Sequence, residues 1–203
     1  MDQQNIKTIY DSIKDQLDSL LEKVYDAVNY VIIVKKIPHV DHIAKRVKTY
    51  ESFLNKSQER SEDKLKYPNP FKEIQDLLGI RVILYYLSDV EKAVEIFQEA
   101  FNRIEINEFI PDSPKDFDYQ GKHIIALIPP SIYNDFKNNK SIPKFFELQI
   151  LTLYQHAWAA GEHDLGYKPI EKHDLNIKRH LAFLAAQSWG ADQIFEKIIK
   201  KKL

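Results

Sequence analysis

Arg46, Lys48, Ser52 and Lys56 run from a basic strand into the start of a helix. Free backbone N–H groups at a helix N-terminus and converging cations make a site for polyphosphate, and a basic surface strand is the plainer alternative. Asp76 and Arg81 lie on either side of Gly79. A carboxylate at a loop-to-strand junction can hold a hard cation such as magnesium through oxygen, and an arginine five residues on can stack on a base or pair with phosphate. Taken alone, such a pair is more often a structural salt bridge. Glu147 belongs to an otherwise apolar strand, Phe145 to Ile150, and shares a face of it with Gln149 because side chains alternate along a strand. A buried charge is costly unless it is paired or bound to metal. His156, Trp158, His163 and Tyr167 follow closely, and Thr152 is placed to cap the helix that carries them.

The elements that position these groups are read from periodicity and breakers. Ile6, Ile9, Ile13, Leu17, Leu20, Val24 and Val28 predict one amphipathic helix over 4–30. Pro38 ends it, His39 to Lys48 reads as a strand, and Thr49 caps a short helix. The polar stretch from Ser57 to Pro70 reads as a flexible loop, and Phe71 to Leu78 as a short helix stopped by Gly79. Ile80 to Leu87 is nearly continuous apolar sequence, as expected of a central strand buried on both faces. Ser88 and Glu91 have capping-box spacing and open a helix to Phe101. Ile104 to Ile110, Lys122 to Ile128 and Phe145 to Ile150 are strands, separated by a loop over Pro111 to Phe117 and an insert with Asn138 and Asn139. A helix covers Leu153 to Leu165 with Gly166 as its cap. The last helix, Leu175 to Ile198, is expected to bury Leu181, Leu184, Trp189, Phe195 and Ile198.

Composition bounds the rest. A chain of 203 residues builds one sizeable core. With 29 Lys and Arg against 30 Asp and Glu, no global charge argues for nucleic acid or membrane, so any anion site is local. There is no cysteine, hence no disulfide framework and no zinc-cysteine site. The N-terminus lacks a signal peptide's basic and apolar regions, and Val31 to Val34 is too short to span a bilayer. A soluble, cytoplasmic protein is expected.

Each motif is weak alone, but their order is specific. Arg46-Val47-Lys48 with Ser52 and Lys56, Asp76 through Val82, Tyr119 with His123, and Glu147-Leu148-Gln149 running through His156-Ala157-Trp158 to His163-Asp164-Leu165-Gly166-Tyr167-Lys168 together resemble the synthetase domain of the RelA/SpoT alarmone synthetases, especially its small single-domain members, over residues 38–196. The resemblance implies an α+β fold, a nucleotidyltransferase-like mixed sheet of about five strands flanked by helices. It divides the chain into an N-terminal helical extension (1–37), a core (38–170) and a C-terminal helix (171–203). The implied reaction moves the β,γ-pyrophosphate of ATP onto the 3′-hydroxyl of GDP or GTP, with Mg2+ as cofactor, to make (p)ppGpp and AMP. Carried over residue by residue, Arg46 and Arg81 surround the adenine, and Lys48, Ser52 and Lys56 hold the ATP phosphates. Asp76 binds magnesium, with Glu147 as second metal ligand or base. Tyr119 stacks on the acceptor base, and Lys115, His123 and Gln149 line the acceptor side.

Departures from the family pattern cluster on that acceptor side. Asp118 stands where glycine is usual, Gly121 where serine is usual and Leu151 where arginine is usual. They imply poor use of guanosine nucleotides, improved by restoring glycine at 118 and serine at 121. They also leave open a tRNA 3′ end as acceptor, as in toxin-type relatives, or a degenerate nucleotide-binding domain. The terminal helices offer a contact for a homo-oligomer. His163-Asp164 and His173-Asp174 look like the metal pair of the family's hydrolase domain, but about 37 residues ahead of the core leave no room for that domain. His163-Asp164 is expected to pack and Asp174 to cap the last helix.

Overall fold

A computed structural model describes residues 2–107, 119, 121–167 and 175–202; the side chains of 106, 107, 162–167 and 202 are outside that description. The order is α1 (Gln3–Lys35), β1 (Val40–Val47), α2 (Tyr50–Ser57), β2 (Arg60–Ser61), β3 (Lys64–Leu65), α3 (Pro70–Glu73), β4 (Leu78–Leu84), α4 (Leu87–Ala100), β5 (Arg103–Asn107), β6 (Lys122–Leu127), α5 (Pro130–Tyr133), β7 (Phe145–Thr152), α6 (Leu153–Tyr167) and α7 (Leu175–Lys202). Five strands form one mixed sheet in the order β1-β4-β7-β6-β5, and β2 pairs with β3 in a separate hairpin. β4 and β7 are parallel, whereas the pairs β1/β4, β6/β7 and β5/β6 are antiparallel. No helix among the described residues is long and apolar enough to cross a membrane.

Strand alternation sorts the side chains onto two faces. Ile80, Val82 and Leu84 of β4 and Phe146, Leu148 and Ile150 of β7 join one hydrophobic cluster with Leu17, Leu20 and Val24 of α1 and Phe97 of α4. Burying each such side chain contributes about 1.5–3 kcal/mol. Asp2 starts α1 by accepting a hydrogen bond from the Asn5 N–H, and Lys36 ends it in a left-handed turn. The Tyr10 hydroxyl of α1 donates to the Lys48 carbonyl at 2.6 Å, which ties this helix to the end of the basic strand. The opposite face carries the polar residues.

Several local expectations are corrected. α3 stops at Glu73, and Leu78 and Gly79 already belong to β4, because Ile74, Leu77 and Leu78 are drawn fully into the core. The loop over 57–70 contains the β2/β3 hairpin, turned by Glu62 at φ 54°. Ser88 and Glu91 form no capping box: α4 starts one residue before Ser88, and the Ser88 N–H donates to Glu196 of α7. α6 runs through Gly166, so that glycine is no cap. Thr152 does cap α6, and reciprocally, since the Gln155 N–H donates to its hydroxyl and its own N–H to the Gln155 amide oxygen.

The largest difference is α7. Of the side chains expected inside, Leu184, Trp189, Phe195 and Ile198 are exposed, and Leu181 is only half-buried. The helix docks instead through Ala185, Asp192 and Glu196, which are buried. A polar face can turn inward when its carboxylates find donors, as these do in Thr152, Tyr119 and Ser88.

Candidate active site

The pairing register brings the polar groups into two rows across the open face. Arg46 of β1 lies opposite Gly79 of β4, which lies opposite Glu147 of β7; in the next row come Ala44, Arg81, Gln149 and His123. Without a side chain at Gly79, a cleft of about 140 Å³ remains between these strands, lined by Arg46, Arg81, Glu147 and Gln149. Arg46 and Arg81 approach closely enough that Arg46, after burial, lowers the pKa of Arg81. Two guanidinium groups flanking an open slot suit a planar ring or an anion.

Asp76 lies just before β4, and its Oδ2 accepts from Lys48 Nζ at 2.8 Å and Lys56 Nζ at 3.1 Å. Lys56 is in the last turn of α2, which Thr49 caps by accepting the Ser52 N–H. Burial pushes the Asp76 carboxyl upward, but the two ammonium groups outweigh it and hold the pKa below its ordinary value. Asp76 Oδ1 is buried and has no hydrogen-bond partner. A half-satisfied buried carboxylate beside a second one fits a hard divalent cation, which takes oxygen ligands. That second carboxylate is Glu147: burial raises its pKa, the His123 hydrogen bond and charge lower it, and Asp76 raises it again, with a lowered net value. Among the described residues no group of three or more His, Cys, Asp or Glu side chains is arranged to hold a metal ion by itself.

A continuous chain of hydrogen bonds crosses the second row. His123 Nδ1 donates to Glu147 Oε1 at 3.0 Å, Gln149 Nε2 donates to Glu147 Oε2 at 2.8 Å, and Arg81 Nε donates to Gln149 Oε1 at 2.8 Å. Arg81 Nη1 then meets His156 Nδ1 at 3.0 Å. A guanidinium only donates, so this imidazole nitrogen accepts and His156 is neutral, with its proton on Nε2. Its role as a clamp on Arg81 is invisible in the sequence beyond its place in the Gln155-His156-Ala157-Trp158 stretch.

Tyr119 is not among these groups. Its ring is 9% exposed, packed with Trp158 and Ala185, and its hydroxyl donates to Asp192 Oδ2 at 2.6 Å. Thr152 Oγ1 donates to the same oxygen at 2.6 Å. Burial and the Asp192 carboxylate push the phenol far up. The open ring face expected for base stacking is therefore taken up by α6 and α7. Asp192 was missed in the sequence; a lone carboxylate inside an apolar helical repeat was the available signal.

Gly121, which stands where serine is usual in the family, is a point of close approach. A Cβ built there would lie 2.5 Å from Leu151 Cβ and 2.7 Å from the Ile150 carbonyl oxygen. Leu151 is itself 2% exposed, so the two departures from the family pattern fit together at one buried strand contact. Lys115, Asp118 and His173-Asp174 lie outside the described residues, as do the side chains of His163 and Asp164.

The family described as the region found in RelA / SpoT proteins matches residues 45–172, which include both carboxylates and every cation of the cleft. The chain belongs to the RelA/SpoT family. The GTP pyrophosphokinase YwaC of Bacillus subtilis (strain 168) is 26% identical over 169 residues, 82% of this chain and 76% of that one. YjbM of the same strain, also a GTP pyrophosphokinase, is 27% identical over 134 residues, 64% of this chain and 57% of its own. In fold, the chain is similar to the small alarmone synthetase 1 of Bacillus subtilis, with a TM-score of 0.73 at 19% identity over 95% of this chain and 96% of the other. The structure of that synthetase bound to its product pppGpp aligns at a TM-score of 0.71 and 19% identity, covering 91% and 93%. These likenesses bear out the α+β fold with a five-stranded mixed sheet and helices at both termini for this RelA/SpoT member.

Proposed function

We propose that this chain is a Mg2+-dependent nucleotide pyrophosphokinase that transfers the β,γ-pyrophosphate of ATP to the 3′-hydroxyl of GDP or GTP. The observation that carries this reading is the buried Asp76, clasped by Lys48 and Lys56 beside Glu147. The names of YwaC and YjbM support the same reaction class. Pyrophosphoryl transfer asks a protein mainly for alignment and for neutralising phosphate charge. Lys48 and Lys56 bind the phosphate chain with Ser52 at the capped start of α2, and Arg46 and Arg81 sandwich the adenine. Asp76 and Glu147 would hold the metal, which when bound neutralises and orients the phosphate oxygens.

His123 and Gln149 fix the Glu147 carboxylate, whose lowered pKa keeps it ionised at neutral pH, as either a ligand or a base requires. The same two residues, with Lys115, face the acceptor. Stacking of the acceptor base on Tyr119 requires the ring to swing away from Asp192. Incubation of the purified protein with labelled ATP tests the reading: AMP and a guanosine tetra- or pentaphosphate should appear only when GDP or GTP is added. Labelling of deacylated tRNA with no guanosine product would replace the acceptor, and no AMP with any acceptor would end the enzyme reading.

We infer further that the chain self-associates through α7, whose Leu184, Phe195 and Ile198 stay exposed on one side of the helix. Contiguous apolar surface of this kind marks interaction sites. Sedimentation should give a mass above the monomer, reduced by Leu184→Glu with Ile198→Glu; a monomer at all concentrations would remove the inference.

A further inference from the structure

We propose that His42, with His156 beside it, reads the polar edge of the donor base and separates ATP from other purine nucleoside triphosphates in the cleft. This rests on the reading of the cleft as the ATP site and adds the residues that choose the base.

The direction of the nucleotide follows from the strand. His42, Ala44 and Arg46 alternate along one face of β1, opposite Ile83, Arg81 and Gly79 of β4, and Lys48 comes one residue past the end of β1. Lys48 and Lys56 gather with Asp76 at that end. A triphosphate held there points its base back along β1, between Arg46 and Arg81 and over the small side chain of Ala44, toward His42. The six residues from Lys48 to His42 span about 20 Å, room for a whole nucleotide. Beyond Arg81 the floor turns apolar and closed, with Ile83 fully buried and Leu151 2% exposed. His42 and His156 stand at this closed end, their rings edge-on with centroids 5.7 Å apart.

Donor and acceptor of the proposed reaction are both purine nucleoside polyphosphates. Cations and a divalent metal meet only the phosphates, and stacking on a guanidinium tolerates any base, because every base has a π-face. The choice of adenine over guanine therefore falls to hydrogen bonds at the base edge.

The roles of the two imidazoles are already fixed. His42 Nδ1–H donates to Asp41 Oδ2 at 2.6 Å, and Asp41 Oδ1 accepts from the Tyr85 hydroxyl at 2.6 Å. The Tyr85 bond, then the His42 bond, hold the pKa of Asp41 below its ordinary value, so it stays an anion that keeps the proton of His42 on Nδ1. A neutral imidazole that donates from Nδ1 accepts at Nε2. His156 is the opposite tautomer, since its Nδ1 meets Arg81 and its proton is on Nε2. Neither Nε2 has a hydrogen-bond partner among the described residues. The pair thus offers one acceptor beside one donor. Adenine carries the complement, a 6-amino donor next to a ring nitrogen that accepts, whereas guanine has an oxygen acceptor at position 6. His42 Nε2 accepts the 6-amino group and His156 Nε2–H donates to the ring nitrogen. Guanine in the same pose sets two lone pairs against each other.

The test is displacement of ATP labelled on its ribose with a fluorophore from the full chain in magnesium buffer, the cleft signal being the part lost in Arg46→Ala. Purine riboside triphosphate, with hydrogen in place of the amino group, should compete about tenfold less well than ATP, and inosine triphosphate, with oxygen there, less well still. His42→Ala should bring ATP down to the level of purine riboside triphosphate and leave the latter unchanged within about twofold. A merely structural role weakens all three competitors alike; that result, or an intact preference for ATP in His42→Ala, overturns the proposal. Asp41→Ala frees the His42 proton to move to Nε2, so it should narrow the preference for ATP over inosine triphosphate with His42 in place, and an unchanged preference overturns the tautomer assignment. One of 1-deaza-ATP and 7-deaza-ATP should bind about tenfold more weakly than ATP, and full binding of both removes His156 from base reading. ATP bound without base preference overturns this proposal alone. Absence of any ATP binding overturns the donor-site reading and this proposal together, and absent AMP release with selective ATP binding overturns only the pyrophosphokinase reading.

Discussion

Because Arg81 Nη1 rests on His156 Nδ1, protonating or deleting this imidazole should loosen the donor side of the cleft. A hydrogen bond to a charged group is worth about 1.5–3 kcal/mol, and Arg81 keeps its other acceptor, Gln149, so His156→Ala should weaken ATP binding by about 1.5 kcal/mol, roughly tenfold. Acid should act in the same direction. Burial first, then Arg81 and His42, depress the pKa of His156, with Asp41 opposing them. The accepting, neutral form therefore prevails at pH 7 and is lost as pH falls below the ordinary histidine value of about 6.5. The sign for stability agrees: a histidine depressed in the folded state binds more protons when unfolded, so its contribution declines as pH falls through that window.

His42 packs edge-on against His156, its Nδ1 is paired with Asp41, which also accepts from the Tyr85 hydroxyl, and Arg46 and Glu147 bear on Arg81. Calorimetric titration of ATP from pH 8 to pH 5.5 is the assay. His156→Gln keeps an amide acceptor that does not titrate and should flatten the acid limb, while His42→Asn should leave most of it. Wild-type affinity in His156→Ala, or an unchanged acid limb in His156→Gln, would refute the clamp.

Asp76→Asn should abolish AMP release while the circular dichroism and melting curve stay native, and near-normal turnover would remove Asp76 from the mechanism. Gly121→Ser should not improve GDP or GTP use: the added Cβ meets backbone at 2.7 Å, and overpacking of this kind costs about 1–3 kcal/mol, several degrees in a thermal melt, so an unchanged melting point sinks the close-approach argument. Burial raises the pKa of Asp192, with Thr152 and Tyr119 pulling it down and Glu196 up, so its ionised form costs stability as pH rises past the ordinary carboxylate value. Asp192→Asn should accordingly melt no lower than wild type at pH 7, whereas Asp192→Ala should lose about 1–3 kcal/mol for each hydroxyl left unpaired; equal melting of the two variants would contradict this.

The sheet and its polar face were legible because strand alternation and ordered motifs constrain each other. Knowing that Arg81 and Gln149 each follow a parallel partner by two residues is enough to put them side by side, as the register does. What periodicity could not give was the sign of α7. Leu184, Phe195 and Ile198 form an apolar stripe in either orientation, and only the donors waiting on Thr152, Tyr119 and Ser88 turn Asp192 and Glu196 inward. Gly121 escaped for a related reason: a glycine needed for strand proximity looks in sequence like one needed for freedom. The clamp of His156 on Arg81 joins residues 75 apart, and no local pattern announces it.

The clasp of Lys48 and Lys56 on Asp76 means that the cleft carries its own counter-ions. On the roles proposed above, a nucleotide arriving alone would draw both lysines off a carboxylate that then stands bare, and a divalent cation arriving alone would approach a carboxylate whose charge two ammonium groups on Oδ2 already offset. Together, each removes the obstacle met by the other. Affinity for nucleotide and affinity for metal should therefore rise by the same factor when the second partner is present, a reciprocity that thermodynamic linkage requires of any such coupling. On this view the clasp discriminates against free nucleotide and free metal alike, and yields to their complex.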